Sequence, residues 1–161
     1  MADTAELEAR LWKELTSQMT LMLGLDGARD GKTQPMTAVT DESTGKTLWF
    51  FTTKDNSLVQ ALSESNRAIA SFTAKGHDLF ATIYGSIRED TDPAIVDRLW
   101  NSHIAAWYEG GKQDPSLCLI RLDPEKATIW KNGSSIGAAI TSLFGQDPKE
   151  SYKDNMATVT L

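Results

Sequence analysis

The chain has 161 residues, of which 40% are apolar, so it can build one domain with a real core and is a poor candidate for disorder. Its formal net charge of −6 argues against binding to nucleic acid or to an anionic membrane surface, because such binding depends on clustered Lys and Arg. An anionic ligand would therefore have to be held by a local pocket.

The cysteine content and the lengths of the apolar runs indicate a cytoplasmic protein. Cys118 is the single cysteine, so an internal disulfide is impossible, which suits a reducing compartment. The chain does not open with a basic segment followed by an apolar stretch, and we therefore expect no signal peptide. Apolar runs such as residues 48–51 are too short to span a bilayer.

The first predicted element is an amphipathic helix over residues 3–19. Asp3 followed by Glu6 resembles a capping box, which is typical of a helix N-terminus. Apolar residues then recur with helical spacing and define a face that we expect to be buried. That face comprises Leu7, Leu11, Trp12, Leu15 and Met19.

A meander of three strands is predicted next, over residues 20–25, 34–40 and 47–53. Asp26-Gly27 and the polar residues 41–45 have turn composition and separate segments with β-like composition. The connections are short, so the strands are expected to be antiparallel.

A short helix and two more strands follow the meander. Ser57 with Gln60 matches a capping box and predicts that the helix is capped by Ser57. The strands are predicted over residues 67–74 and 79–89. Gly85 lies inside the second strand, where glycine usually marks a bulge or a close approach of two backbones.

One helix is then predicted to begin at Asp92-Pro93, because proline is well tolerated at the first helical position. Gly110-Gly111 is predicted to end it. Its apolar residues share one face and are expected to be buried. They are Ile95, Val96, Leu99, Trp100, Ile104 and Trp107.

The last predicted strands, residues 117–122 and 127–131, form a hairpin around the turn-like residues 123–126. After Asn132 the tail is weakly amphipathic and then polar, and its end is expected to be mobile. The apolar residues of the tail are Ile136, Ile140, Leu143 and Phe144.

Six or seven strands in hairpin order, with helices between them, predict a mainly β fold with flanking helices. The arrangement favours an antiparallel barrel or sandwich. The chain shows no alternation of strands and helices typical of a parallel sheet, no repeat and no linker. We therefore expect one domain over residues 1–161.

The residue inventory argues against several enzyme classes. The two histidines, His77 and His103, lie far apart and lack metal-ligand spacing, so we expect no metal site and assign them to a turn and a helix surface. Neither phosphate-binding glycine motifs nor a Gly-x-Ser-x-Gly elbow is present. Cys118 alternates with Leu117 and Leu119, which is typical of a core thiol.

The segment after the third predicted strand could bind an anion. Thr52 and Thr53 end the strand, Lys54 follows, and the helix begins at Ser57. The helix N–H groups and the lysine charge together could hold a phosphate. A strand-to-helix turn with a solvated lysine is the simpler alternative, and Asp55 opposes an anion unless it points away.

The tryptophans allow two interpretations. Trp49 and Trp100 fit predicted core stripes. Trp107 and Trp130 lie near chain irregularities, where an aromatic side chain can border a flat ring ligand. Packing or a dimer contact is the alternative for both, and the residues alone slightly favour it.

Four pieces of sequence carry a family resemblance through their order and spacing. They are residues 34–38 (QPMTA), 48–55 (LWFFTTKD), 107–111 (WYEGG) with 114–115 and 117–121, and 124–125 leading to 127–130. Together they resemble the general-stress branch of the pyridoxamine-5′-phosphate-oxidase-like, FMN-binding split-barrel superfamily. The resemblance covers most of the chain, from about residue 11 to residue 130.

The resemblance implies an antiparallel split β-barrel that forms a homodimer, with one FMN in each of two grooves between the protomers. Met36 and Thr37 would border the flavin ring, and Trp130 would border the ring bound mainly by the partner. Other implied residues reach the ribityl and phosphate groups. The full implied set is Gln34, Met36, Thr37, Thr52, Thr53, Lys54, Ser57 and Trp130.

Two departures from the family pattern affect the implied function. Many relatives have arginine at the position of Gln34 and a second basic residue at the position of Leu58, so Lys54 is the obvious cation that remains. The Arg-x-His segment by which pyridoxamine phosphate oxidases hold their substrate has no counterpart after Trp130. We therefore expect no true pyridoxamine phosphate oxidase activity.

Three functions remain open. The first is a flavin-binding general stress protein that holds FMN, with FAD as an alternative cofactor. The second is a flavin-dependent oxidoreductase acting on a nicotinamide or a small organic substrate, in which the flavin itself would supply the redox chemistry. The third is a barrel without flavin that acts as a dimeric interaction module.

Overall fold

The computed structural model describes residues 3–131 and 156–161. The helices are α1 Thr4–Gln18, α2 Ser57–Ala61, α3 Pro93–Leu99 and α4 Ser102–Ala105, with single 3-10 turns at Glu42–Thr44 and Gly111–Gln113. The strands are β1 Thr20–Leu25, β2 Gln34–Thr37, β3 Val39–Thr40, β4 Leu48–Thr53, β5 Arg67–Thr73, β6 Leu79–Glu89, β7 Leu117–Lys131 and β8 Met156–Thr160.

These strands form one antiparallel sheet in the order β2-β1-β5-β6-β7-β4-β3, and β8 also pairs with β7. The sheet closes almost completely into a barrel, and the helices flank it. β7 organises the sheet because β6 pairs along nearly its whole length. Its first half pairs with β4 on the other side, and its second half pairs with β8.

The N-terminal helix is confirmed, although its buried face is shorter than expected. The Asp3 carboxylate accepts hydrogen bonds from the backbone N–H groups of Ala5 and Glu6, which fixes the start of α1. Met19 is not on the buried face, because it adopts a left-handed conformation with φ 57° after the helix ends. Its side chain is exposed.

The strand predicted over residues 34–40 is two strands, β2 and β3. Ala38 lies between them, and its backbone N–H donates to the carbonyl of Met19 at 2.7 Å instead of joining either pairing. β2 therefore pairs with β1 on one edge of the sheet, while β3 pairs with β4 on the other. The local composition is β-like throughout, so the sequence pattern could not reveal this change of partner.

The predicted hairpin at residues 117–131 is wrong, because β7 is one continuous strand. The pairing with β6 shifts register between Tyr84 and Gly85, and the turn-like residues Asp123 and Pro124 lie at this irregularity. A Cβ on Gly85 would lie 2.1 Å from the carbonyl oxygen of Asp123. The expected close approach of backbones at Gly85 is confirmed, and the register shift absorbs the proline.

The single helix predicted from residue 93 is two helices. Asp92 caps α3 with Pro93 at its first position, as expected, but Trp100 leaves the helical region with ψ 133°. Asn101 then caps α4 by accepting from the N–H of Ile104 at 3.0 Å. Trp107 consequently lies off the buried stripe, with 84% of its side chain exposed.

The core has two parts, one inside the barrel and one outside it. The inner part collects alternate residues of β4 and β7, such as Phe50 and Ile120, with Leu11 of α1. The outer part packs α3 and α4 against the other face of the same two strands, around Trp49 and Leu119. The apolar residues predicted in the tail, 136–144, lie outside the described residues. The expectation of a mobile chain end is wrong for Met156–Thr160, which pairs with β7.

Candidate functional site at the end of strand β4

Three chain segments meet where β4 ends, and Asn56 joins them. Its side-chain Oδ1 accepts from Gln34 Nε2 at 3.0 Å and from the backbone N–H of Leu58 at 2.8 Å. Its Nδ2 donates to Thr52 Oγ1 at 2.9 Å. One half-buried amide therefore links β2, the end of β4 and the start of α2.

The sequence pattern assigned the cap of α2 to Ser57, and this prediction is wrong. Asn56 is the cap, and Ser57 is the first helical residue. Gln60 also differs from a capping-box residue, since its Nε2 donates to the carbonyl of Lys54 at 2.7 Å. Asn56 could have been found from sequence, because asparagine is as good a cap as serine and directly precedes it.

The hydroxyl groups of the turn have different capacities. Thr53 Oγ1 donates its proton to the Asp55 carboxylate, so this proton is already used within the turn. Thr52 Oγ1 is an acceptor in its bond from Asn56, which leaves its own proton available. Ser57 is exposed beside Gln34 on the rim of a shallow pocket.

Lys54 is exposed and forms no ion pair with any residue in 3–131 or 156–161. Its backbone is nevertheless fixed, because its N–H donates to the carbonyl of Ser116 at 3.0 Å. The position of Leu58 offers no second cation, since Leu58 is buried in the inner core. Lys54, Thr52 and Ser57 belong to the same turn, residues 52–57, and an exposed ammonium in a turn that carries hydroxyl groups suits a phosphate group.

The pocket beside this turn is small. Gln34, Ser57 and Leu58 line it together with Lys32 and Ala61. Its cavity volume is about 40 Å³, room for about three water molecules. The pocket therefore cannot enclose a flavin ring by itself.

Of the other predicted site residues, Met36 and Thr37 lie near the turn at the end of β4, and Trp130 lies far from it. Met36 and Thr37 belong to β2, which also carries Gln34; Met36 is buried in the core and Thr37 is exposed at the pairing with Thr20. Trp130 lies far from the Lys54 turn, because β7 pairs Leu117 with Thr53 at its start and holds Trp130 near its other end.

Two buried titratable groups lie beside the end of β4. Tyr108 donates from its hydroxyl to the carbonyl of Thr52 at 2.6 Å, and burial raises the pKa of its phenol to about 12. Cys118 pairs with Thr52 across the β4–β7 ladder. Burial and then the charge of Glu89 raise the pKa of its thiol to about 12, so the expectation of a core thiol is confirmed.

Within residues 3–131 and 156–161 there is no group of three or more His, Cys, Asp or Glu side chains that could hold a metal ion. His77 lies in the turn before β6, and His103 is exposed on α4. Among the described helices, none has the length and apolar character needed to cross a membrane.

Comparison with known proteins identifies the family. The family model described as "Pyridoxamine 5'-phosphate oxidase like" matches residues 6–152. The chain belongs to this family. The resemblance found in the sequence is therefore confirmed, and so is the split-barrel fold.

Solved structures place the chain within the general stress branch. A general stress family protein from Xanthomonas campestris pv. campestris is 59% identical, with a TM-score of 0.77, over 84% of this chain and 93% of that one. The general stress FMN/FAD binding protein from Xanthomonas citri is 58% identical, with a TM-score of 0.75, over 82% and 93% of the two chains.

Among curated proteins, General stress protein 26 of Bacillus subtilis is 25% identical over 56 residues. This match covers 35% of the chain and 39% of the relative. The matched region thus spans well under half of that relative.

Proposed function

We propose that this chain is a cytoplasmic flavin-binding general stress protein that holds FMN without true pyridoxamine phosphate oxidase activity. The observation that carries the proposal is the exposed Lys54 ammonium beside a hydrogen-bonded junction of β2, β4 and α2. The similarity to a general stress FMN/FAD binding protein of Xanthomonas citri supports it, because that relative is 58% identical over most of both chains.

The residues at the junction would bind different parts of the flavin. Lys54 supplies the charge for the phosphate, and the hydroxyls of Thr52 and Ser57 donate hydrogen bonds beside it. The backbone of β2 at Met36 and Thr37 would border the ring, since the Met36 side chain is buried in the core. Thr53 contributes less than the family resemblance implies, because its proton is donated to Asp55. Bound flavin would supply any redox chemistry.

A monoester phosphate favours FMN over FAD at this turn. FMN ends in one phosphate with up to two negative charges, which a single ammonium and neighbouring hydroxyls can neutralise. The diphosphate of FAD would need donors for a second phosphate, which the buried apolar side chain of Leu58 does not offer, and Lys32 in the adjacent pocket is the cation that would have to supply them.

A second copy of the chain would complete the site. The pocket of one protomer holds only about 40 Å³, whereas Trp130 lies at the opposite end of β7 from the Lys54 turn. A homodimer would bring the Trp130 of one protomer to the ring bound by the other. Light scattering at micromolar concentration should give twice the monomer mass, and a mass of 17.7 kDa would contradict the shared groove.

The absorption spectrum of the purified protein tests flavin binding directly. We expect the two bands of an oxidised flavin, and release by heat or acid should yield FMN when compared with FMN, FAD and riboflavin standards. A colourless protein that does not bind added FMN would refute the proposal and leave a dimeric interaction module. Release of FAD alone would refute the choice of cofactor.

The absence of pyridoxamine phosphate oxidase activity has a separate test. The chain continues after Trp130 with Lys131-Asn132-Gly133-Ser134, which lacks the family's substrate-binding Arg-x-His segment. The FMN-loaded protein should form no pyridoxal phosphate at enzymatic rates. Turnover on the order of 1 per second or faster would contradict this part of the proposal.

A further inference from the structure

The loop between α4 and β7 is tied to the end of β4 at two points. Tyr108 donates from its hydroxyl to the carbonyl of Thr52 at 2.6 Å. Lys54 donates from its backbone N–H to the carbonyl of Ser116 at 3.0 Å. These two bonds lie one residue before and one residue after Thr53, so they fix the backbone from which the Lys54 side chain extends.

Asp114 closes the same loop on itself. Its Oδ2 accepts from the N–H of Gly110 at 2.9 Å, and its Oδ1 accepts from the N–H and the hydroxyl of Ser116 at 2.9 and 2.7 Å. These bonds hold the pKa of Asp114 below its ordinary value, the Ser116 hydroxyl being the largest cause. A Cβ on Gly110 would lie 2.9 Å from Asp114 Cα, so the closure needs glycine there.

We propose that residues 108–116 form a clasp that positions Lys54 for the flavin phosphate, with Tyr108 and Asp114 as positioning residues. This inference rests on the proposed function. It also assigns a role to the WYEGG and DP sequence pieces, which the flavin-contacting residues leave unexplained. The clasp acts through backbone atoms, because its bonds reach the carbonyl of Thr52 and the N–H of Lys54 and leave the ammonium free for the ligand.

Preorganisation is the physical benefit. A turn that is already ordered loses less conformational entropy when the ligand binds, so the same charge gives a higher affinity. Lys54 is exposed, and neighbouring side chains do not enclose it. The clasp is therefore expected to raise the affinity that Lys54 gives for a phosphate-bearing ligand. The affinity for a ligand without a phosphate should not depend on the clasp.

The first test is Tyr108→Phe, which removes the hydroxyl and keeps the ring. The ring packs edge-to-face against Phe51 at 6.5 Å and lies 5.8 Å from Trp100, so the variant should fold. We expect FMN affinity to fall about 2- to 10-fold, as for the loss of one neutral hydrogen bond. Riboflavin affinity should be unchanged. Tyr84→Phe, which removes a phenol on β6 away from the clasp, is the matched control.

Asp114→Ala provides a second variant with the same expectation. It removes three bonds that close the loop but does not touch the core or the ligand. Its FMN affinity should fall while riboflavin affinity stays constant. If both variants weaken FMN and riboflavin equally, the loop is merely structural and the inference is wrong.

The deciding experiment repeats Tyr108→Phe in a Lys54→Ala background. If the clasp acts through Lys54, removing the phenol should have no further effect on FMN affinity once the ammonium is gone. Independent losses that multiply would overturn the inference. Failure of the proposed function is distinguishable, because the wild-type protein itself would then bind no FMN.

Discussion

The barrel is held very differently at two places beside β7, the Gly85 crossing with β6 and the Lys54 turn at the end of β4. The Gly85 crossing, formed by Gly85, Asp123 and Pro124, is a contact of backbone on backbone with no room for a methyl group. The Lys54 turn, residues 52–57, is held by side-chain hydrogen bonds from Asn56 and ends in exposed polar groups.

This difference separates the requirements of the fold from those of the ligand. At the crossing, the backbones of β6 and β7 approach so closely, next to the register shift, that position 85 has no room for a Cβ. Only glycine fits there. At the turn, each hydrogen bond contributes on the order of 1 kcal/mol and can be replaced by water. Residues at the turn can therefore change ligand affinity while the barrel stays folded.

The largest expected effect is at the crossing. Gly85→Ala should destabilise the protein by about 3 kcal/mol or more, because its Cβ would meet the Asp123 carbonyl oxygen at 2.1 Å and a paired backbone must move. Urea unfolding followed by circular dichroism measures this directly.

Gly76→Ala is the matched control for that substitution. Its Cβ would contact the Asp78 side chain at 3.5 Å, an ordinary distance, so the stability should change by less than about 0.5 kcal/mol. Equal effects of the two substitutions would mean that the crossing is not under steric control.

At the turn, the largest effect should be on the ligand. Lys54→Ala should weaken FMN about 10- to 100-fold, because a charged hydrogen bond to phosphate contributes roughly 1.5–3 kcal/mol. Riboflavin, which lacks the phosphate, should bind nearly as before, and stability should be unaffected. Quenching of flavin fluorescence measures both affinities.

Lys75→Ala serves as the control for lost positive charge, since Lys75 is exposed in the turn before β6. It should leave FMN affinity close to that of the wild type. Unchanged FMN affinity in Lys54→Ala would place the phosphate elsewhere, and the two regions would then no longer differ in the way described.

Asn56 and Ser57 are neighbours with opposite expected roles. Asn56→Ala should lower the free energy of unfolding by about 1–2 kcal/mol, because it removes the cap of α2 and the link between Gln34 and Thr52. Ser57→Ala should change it by less than about 0.5 kcal/mol and weaken FMN only a few-fold. The reverse order in thermal melts would restore Ser57 as the cap.

Sequence reasoning succeeded where one residue carries the whole signal. Asp3 and Asp92 cap helices as expected, and Gly85 lies at a close backbone approach. In each case the physical cause is local, namely a side chain that reaches its own helix or a missing Cβ in a strand. The family resemblance supplied the split barrel itself.

Sequence reasoning failed where contacts with distant chain segments decide between similar local signals. Asp123 and Pro124 have turn composition, yet the partner strand β6 extends past them and makes them part of β7. Asn56 and Ser57 are both good caps, and the contact with Gln34 favours the first. Helical spacing placed Trp107 in a buried stripe, but the helix stops at Leu99 and restarts after Asn101.

The smallest expected effect is on how the free energy of unfolding depends on pH. Cys118 and Tyr108 are buried beside the Lys54 turn, and burial raises the pKa of each to about 12, from ordinary values of 9.0 and 10.0. Between about pH 9 and 12 the unfolded chain loses these protons while the folded chain retains them. The folded state then binds more protons, so the free energy of unfolding must fall as pH rises.

Each group can contribute at most about 1.4 kcal/mol per pH unit, and the two variants Cys118→Ala and Tyr108→Phe separate the contributions. Urea midpoints measured from pH 8 to 11 should decline more steeply in the wild type than in either variant. FMN affinity should not fall over this range on account of Tyr108, because the folded protein keeps the proton that Tyr108 donates to the Thr52 carbonyl until about pH 12. Tyr84→Phe should decline as the wild type does, since Tyr84 lies on β6 away from the turn. If the urea midpoints of all four proteins decline in parallel, these two buried groups do not control the loss of stability at alkaline pH.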